Sequence, residues 1–192
     1  MREPTAGPDR SSSDPAANAG LVERMVAASE LHGDFVLSSG KRSGVYFDKF
    51  LFLSDPVLLR DLADAVRALL PEGVTHLAAP EGAATLLLSA VALETGLPMA
   101  VVRRQPKGYG TRARVEGYAP PGATIALLED VSTTGDQVAA AARELEATGA
   151  TIACIVLALD RGGADTLRRE GYETRAVAVL RPDGTGGNDE GS

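Results

Sequence analysis

Two neighbouring carboxylates, Glu129 and Asp130, follow the apolar run Thr124-Ile125-Ala126-Leu127-Leu128 and lead directly into Val131-Ser132-Thr133-Thr134-Gly135. Acids delivered by a buried strand can accept hydrogen bonds from a polyhydroxyl ligand. A hydroxyl-rich loop that opens a helix offers backbone N–H groups, hydroxyls and the positive helix end to a phosphate. Asp130 or Ser132 acting only as a helix cap would leave the rest of the motif unused, because a cap needs one such residue. A second constellation runs from Val102 to Gly117 and holds five bases (Arg103, Arg104, Lys107, Arg112 and Arg114) against one acid, Glu116. Its glycines permit motion, and a cationic loop of this kind is suited to close over a diphosphate, exclude water and offset charge as the group departs.

The elements that must position these groups follow from periodicity. Strands are expected at His76–Ala79, Met99–Val102, Thr124–Leu128, Thr151–Leu159 and Arg175–Leu180, with helices at Ala83–Thr95, Asp136–Thr148 and Ala164–Glu170 between most of them. Gly96, Gly149 and Gly171 fall where helix C-caps belong. Alternating strands and helices with unbroken apolar strands, such as Ile152–Leu157, read as a parallel sheet covered on both faces. Ligands of such sheets sit at the carboxyl ends of the strands, where both constellations fall. Upstream, the expected elements are a helix from Gly20 to Leu31 ended by His32-Gly33, a hairpin of Phe35–Leu37 with Val45–Phe47, and a helix capped by Ser54 or Asp55 with Pro56 in its first turn.

The 192 residues, 44% hydrophobic and 23% charged, suit one soluble domain. Residues 1–18 and 182–192 are Pro-, Gly-, Ser- and Asp-rich and are expected to be disordered, which leaves a domain over 19–181. The formal charge of −7 is unevenly spread: the last eleven residues carry −3, the first nineteen −1, and the middle −3. An acidic total disfavours nucleic acid and anionic membranes as partners. No apolar stretch approaches the roughly 18–20 residues of a membrane span, and the head lacks the apolar core of a signal peptide. One cysteine, Cys154, cannot form an internal disulfide and lies in an apolar strand, so a reducing cytoplasm is expected. His32 and His76 are isolated, and no transition-metal ligand cluster is present. Gly40-Lys41-Arg42-Ser43 is not a nucleotide P-loop, because Phe35 stands where its first Gly is required.

Leu127–Gly135 resembles the phosphoribosyl-diphosphate (PRPP) signature of type I phosphoribosyltransferases. The segment from Arg103 to Gly117 is similar to the mobile catalytic loop of orotate phosphoribosyltransferases. The hairpin from Phe35 through Tyr46-Phe47-Asp48 is similar to that family's hood over the pyrimidine, and Leu159-Asp160-Arg161 to its Asp-Arg pair. Together these matches cover about residues 20–180. The resemblance implies an α/β type I phosphoribosyltransferase fold, a five-stranded mainly parallel sheet flanked by helices with a small N-terminal hood. It implies Mg²⁺-dependent conversion of orotate and PRPP to orotidine 5′-monophosphate and diphosphate, in a homodimer with shared active sites. Lys107, Glu129 and Asp130 would be catalytic. Arg103, Arg104, Lys107, Tyr109 and Glu129 through Gly135 (Val131, Ser132, Thr133 and Thr134 included) would bind PRPP. Orotate would meet Thr133, Tyr46, Phe47, Lys49 and Arg161, whose guanidinium fork suits a carboxylate. No protein ligand is expected to hold the ion directly; Mg²⁺ would be carried by PRPP and waters near Glu129 and Asp130.

Three positions depart from the family pattern. Ala78-Ala79-Pro80-Glu81-Gly82-Ala83-Ala84 carries Ala where Gly is common, which crowds a close backbone approach. Asp136 would repel a 5-phosphate unless it turns outward into the helix's first turn. Ser38 stands where many bacterial members place a Lys, and Lys49 is the available substitute. A phosphoribosyltransferase for another base, or a PRPP-sensing regulator without catalysis, are the alternatives these departures leave.

Overall fold

The computed structural model describes residues 15–36, 40, 42–106 and 114–180. Helix α1 (Pro15–Ser29) leads into an antiparallel hairpin of β1 (Glu30–Val36) and β2 (Arg42–Phe47), followed by helices α2 (Lys49–Ser54) and α3 (Pro56–Ala68). The remainder alternates: β3 (His76–Pro80), α4 (Ala84–Thr95), β4 (Met99–Val102), β5 (Val115–Gly117), β6 (Thr124–Ser132), α5 (Asp136–Glu146), β7 (Thr151–Asp160), α6 (Gly163–Arg169) and β8 (Thr174–Val179). Six of these strands form one sheet in the order β5-β4-β3-β6-β7-β8, parallel throughout except for β5, which runs antiparallel on β4. The chain moves outward from β3 to β4 and then returns to lay β6 on the other side of β3. The carboxyl ends of β3 and β6 therefore flank the point where the strand order reverses, the usual place for a ligand crevice.

Side-chain alternation along β6 builds the two faces of the core. Ala126 and Leu128 pack with Leu77, Val156 and residues of α1, α2, α3 and α4, whereas Ile125 and Leu127 pack with Ile155, Leu157 and residues of α5 and α6. Continued by two residues, the same alternation directs Glu129 toward α5 and Asp130 toward α2.

The five anticipated strands and three crossover helices are present with ends shifted by a few residues. The sheet has a sixth strand, β5, a three-residue edge too short to show an apolar alternation; its pairing with β4 (Val102↔Val115, Ala100↔Gly117) creates it. At the N-terminus α1 starts at Pro15 and stops at Ser29, so His32 and Gly33 lie inside β1 rather than ending the helix. Most of β1 is exposed, and no buried stripe marked it as a strand. The short helix α2 was also not anticipated: Asp48 caps it by accepting from the Phe50 N–H at 2.9 Å, and its Phe52 and Leu53 are fully buried. Among the described residues no helix is long and apolar enough to cross a membrane.

The α3 start is as expected, with Asp55 accepting from Val57 N (2.8 Å) and Leu58 N (3.0 Å) and Pro56 at the first helical position. Asp55→Ala removes this cap and is expected to lower the unfolding free energy by about 1 kcal/mol, with Asp55→Asn retaining most of it; urea denaturation of the three proteins checks this.

Candidate active site

Asp130 is fully buried at the end of β6, and its Oδ1 accepts from Lys49 Nζ at 2.8 Å and from Val131 N at 2.5 Å. Lys49 opens α2, so the hood side of the molecule supplies the cation. Glu129, 5% exposed, lies on the α5 side. Among the described residues no N–H or hydroxyl donates to the buried Glu129 Oε2 and Asp130 Oδ2, and the two carboxyls are each other's neighbours. Burial, reinforced by the Asp130 carboxylate next to it, pushes the Glu129 carboxyl up to about 9, with Lys49 pulling the other way.

Beyond the acids, Thr133 and Thr134 are exposed, and Gly135 (φ 85°) turns the chain into α5. A cavity of about 110 Å³ lies here, lined by Lys49, Glu129, Val131–Gly135, Gln137 and Val138. It unites one unpartnered carboxylate oxygen, one ammonium, a hydroxyl-rich loop and the N-terminus of an eleven-residue helix. Asp136 is exposed and does not line it.

The adjoining turn after β7 is fastened to this loop. Asp160 Oδ1 accepts from Gly162 N (2.8 Å) and Ala164 N (3.1 Å), and Arg161 N donates to Ser132 O (2.8 Å). A Cβ on Gly163 would fall 1.9 Å from Ser132 Oγ, and one on Gly135 would fall 2.6 Å from Gly163 O, so only glycines allow the two turns to approach this closely. The Arg161 guanidinium lies 5.7 Å over the Phe47 ring, while its buried Nε has no acceptor among the described residues. Phe47 and Arg161 thus come together. Tyr46, the neighbouring residue in β2, points to the other face of the strand and packs on Phe35, with 5.4 Å between ring centroids. Lys49, expected near a base, is drawn onto Asp130.

At the end of β4, Arg103 N donates to Arg114 O at 2.7 Å and joins the two stems of the cationic segment. The Arg114 guanidinium donates to Arg104 O (3.0 Å) and to Glu144 Oε1 on α5 (2.6 Å). Glu81, at the end of β3, accepts the Arg104 N–H at 2.9 Å through Oε1, and its Oε2 lies 3.9 Å from an Arg103 guanidinium nitrogen. The sequence reading did not single out Glu81 or Glu144. Glu81 had a visible signal, an acid immediately after a strand at the ligand edge; Glu144 had none, because its partner is 30 positions away. Lys107, Tyr109 and Ser38 lie outside the described residues. The Ala79, Ala83 and Ala84 side chains are buried in the core.

The fold and this edge define an α/β protein of the type I phosphoribosyltransferase class. No family model matches the chain. An orotate phosphoribosyltransferase of Thermococcus gammatolerans is 40% identical over 158 residues, covering 79% of this chain and 84% of the relative. Among solved structures, the orotate phosphoribosyltransferase of Aeropyrum pernix superposes with a TM-score of 0.69 at 31% identity, covering 85% of this chain and 93% of that one. That of Mycobacterium tuberculosis H37Rv, in complex with Fe(III) dicitrate, superposes with a TM-score of 0.77 at 25% identity, covering 85% and 97%. The chain belongs to the orotate phosphoribosyltransferase family.

The raised Glu129 carboxyl carries a stability prediction. Between the ordinary value of 4.5 and about 9, the folded ligand-free protein holds a proton that the unfolded chain has released, so stability falls as pH rises through this window. Unfolding free energies measured without ligand or Mg²⁺ between about pH 5 and 9 should decline for the parent protein and decline less steeply for Glu129→Gln. Equal slopes would assign the pH dependence to other groups.

Proposed function

We propose that this chain transfers the phosphoribosyl group of PRPP to orotate, giving orotidine 5′-monophosphate and diphosphate. The observation that carries this reading is the cavity that sets Glu129 and Lys49, the cation paired with Asp130, beside the Thr133–Gly135 loop, with Arg161 on the turn fastened to that loop and Phe47 beneath its guanidinium. The 5-phosphate would sit on the loop at the start of α5, where N–H groups and hydroxyls converge. The exposed position of Asp136, away from the cavity lining, leaves that place to the phosphate.

Glu129 and Asp130 would hold the ribose 2- and 3-hydroxyls, Asp130 as the carboxylate paired with Lys49. Glu129 would stabilise positive charge as the C1–O bond breaks once the arriving ligand and its cation displace the proton it holds in the free protein. The Lys49 ammonium would have to yield part of its hold on Asp130 as the sugar arrives, or bridge it to the ligand. Arg103 and Arg104, with Lys107 and Tyr109 from the cationic segment, would offset charge on the departing diphosphate. Arg161 would pair with the orotate carboxylate, and Phe47 would hold both the guanidinium and the edge of the base; Thr133 and Lys49 complete the proposed set, which leaves out Tyr46 on the opposite face of β2.

Mg²⁺ fits these residues. Two carboxylate oxygens are unpartnered, yet no group of three or more His, Cys, Asp or Glu side chains able to hold an ion occurs among the described residues. That donor set suits a hard cation held largely by substrate oxygens and water, near Glu129 and Asp130. When bound, Mg²⁺ supplies positive charge against the diphosphate and ribose oxygens.

The domain would span residues 19–181, act in the cytoplasm, and pair as a homodimer in which Lys107 serves the neighbour's site. Diphosphate release from PRPP, followed with orotate, other pyrimidines and purines, tests the activity. Orotate alone should support turnover, and Arg161→Ala should raise the orotate KM at least about tenfold with a smaller effect on the PRPP KM. Turnover with another base and none with orotate would overturn the assignment, and PRPP binding without turnover of any base would favour a regulator. Mixed Lys107→Ala and Asp130→Asn chains should recover activity if sites are shared, and recover none after verified subunit exchange if they are not.

A further inference from the structure

The cations assigned to diphosphate already face an anion of the protein. Glu81 and the pair Arg103-Arg104 leave the carboxyl ends of adjacent parallel strands, β3 and β4, and the register Pro80↔Val102 brings them side by side. The Glu81 N–H donates to Val102 O at 2.8 Å, which fixes the backbone from which its carboxylate projects. One carboxylate oxygen accepts the Arg104 N–H at 2.9 Å, and the other is 3.9 Å from the Arg103 guanidinium. A backbone N–H beside a guanidinium is the donor set that a phosphate oxygen uses. Arg103, Arg104 and Arg114 also line a cavity of about 180 Å³ next to Pro80. The carboxylate therefore contacts two of the three arginines that line this recess and takes donors that an incoming polyphosphate would otherwise use.

We infer that Glu81 is a built-in competitor for the diphosphate-binding donors of Arg103 and Arg104, which diphosphate must displace and which weakens its retention. This rests on the phosphoribosyltransferase reading and deepens it. Glu81 is half-exposed, as is Arg103, so water screens their attraction and the pair can exchange partners. A carboxylate left within a few ångströms of bound diphosphate also repels it. With the loss of one charge-assisted hydrogen bond, that sets the expected effect at roughly three- to tenfold in diphosphate affinity. A purely structural role, in which Glu81 holds the end of β4 in place, has the opposite sign: removing it would loosen Arg103 and Arg104 and weaken binding.

The test is the affinity of the full-length protein for inorganic diphosphate, by calorimetric titration with Mg²⁺ present and by product inhibition of turnover. Glu81→Gln keeps the size and the ability to accept the Arg104 N–H; Glu81→Ala removes both. Glu94→Gln, an exposed acid at the far end of α4, controls for net charge. The inference predicts diphosphate bound about three- to tenfold more tightly by both Glu81 variants, an unchanged orotidine 5′-monophosphate KM, and no change in Glu94→Gln. Unchanged or weaker diphosphate binding in Glu81→Gln, with the thermal midpoint retained, overturns it while leaving the enzyme assignment intact. Equal tightening in Glu94→Gln also overturns it. Failure of the parent protein to bind diphosphate overturns the assignment of Arg103 and Arg104 and the inference with it.

Discussion

Two adjacent carboxylates at the end of a buried strand lose hydration and repel each other, and much of this molecule is arranged around that cost. Glu129 and Asp130 are brought into the interior by β6, whose preceding residues are committed to two opposite core faces. Alternation sends the two side chains off opposite faces of the strand, but their carboxyls remain neighbours. Among the described residues Asp130 takes the paired cation, Lys49 at 2.8 Å, while burial and the neighbouring Asp130 push the Glu129 carboxyl up to about 9 against the pull of Lys49. An uncompensated buried charge costs several kcal/mol. The ligand-free protein thus limits the cost by one ion pair and one bound proton, while leaving Glu129 on the wall of the cavity.

This arrangement explains why the N-terminal segment matters to a site on the sheet. Asp48 caps α2, the cap sets where Lys49 leaves the backbone, and buried Phe52 and Leu53 anchor the helix beneath it. Phe47, just before the cap, packs against Phe52 and under Arg161, so one stretch of seven residues serves both the acids and the proposed base-binding arginine. Across the crevice the charges are reversed. Arg103 and Arg114 are faced by Glu81 and Glu144, so two of the arginines on this edge already meet an acid of the protein. The fold, with its order reversal between β3 and β6, sets these two edges on either side of one crevice.

Much of this was legible in the amino-acid order because its signals are local. The parallel strands announce themselves as unbroken apolar runs, the crossover helices by their glycine stops, and the acid-hydroxyl-glycine motif by nine consecutive residues from Leu127 to Gly135. The hairpin boundary, α2 and β5 were not legible. Most of β1 is exposed, α2 has only six residues, and β5 exists only because β4 lies beside it. Within the site the same division holds. Glu129, Asp130 and Arg161 follow from position after a strand, but the Lys49–Asp130 pair joins residues 81 apart, and the Arg114–Glu144 pair joins residues 30 apart. Such pairings depend on tertiary register, which no local pattern encodes. Tyr46 and Phe47 show the smaller failure: adjacent aromatics read as one surface, yet a strand sends them to opposite faces.

The central claim is that the Glu129–Asp130 pair recognises the ribose while the arginines of β4 recognise diphosphate. It is tested most directly by titrating the Glu129→Gln, Asp130→Asn double variant with PRPP and, separately, with inorganic diphosphate, both with Mg²⁺ and no base. PRPP affinity should fall at least about tenfold while diphosphate affinity stays within about twofold, because only PRPP carries the hydroxyls the acids would hold. Undiminished PRPP binding, or an equal loss for both ligands, would contradict the account.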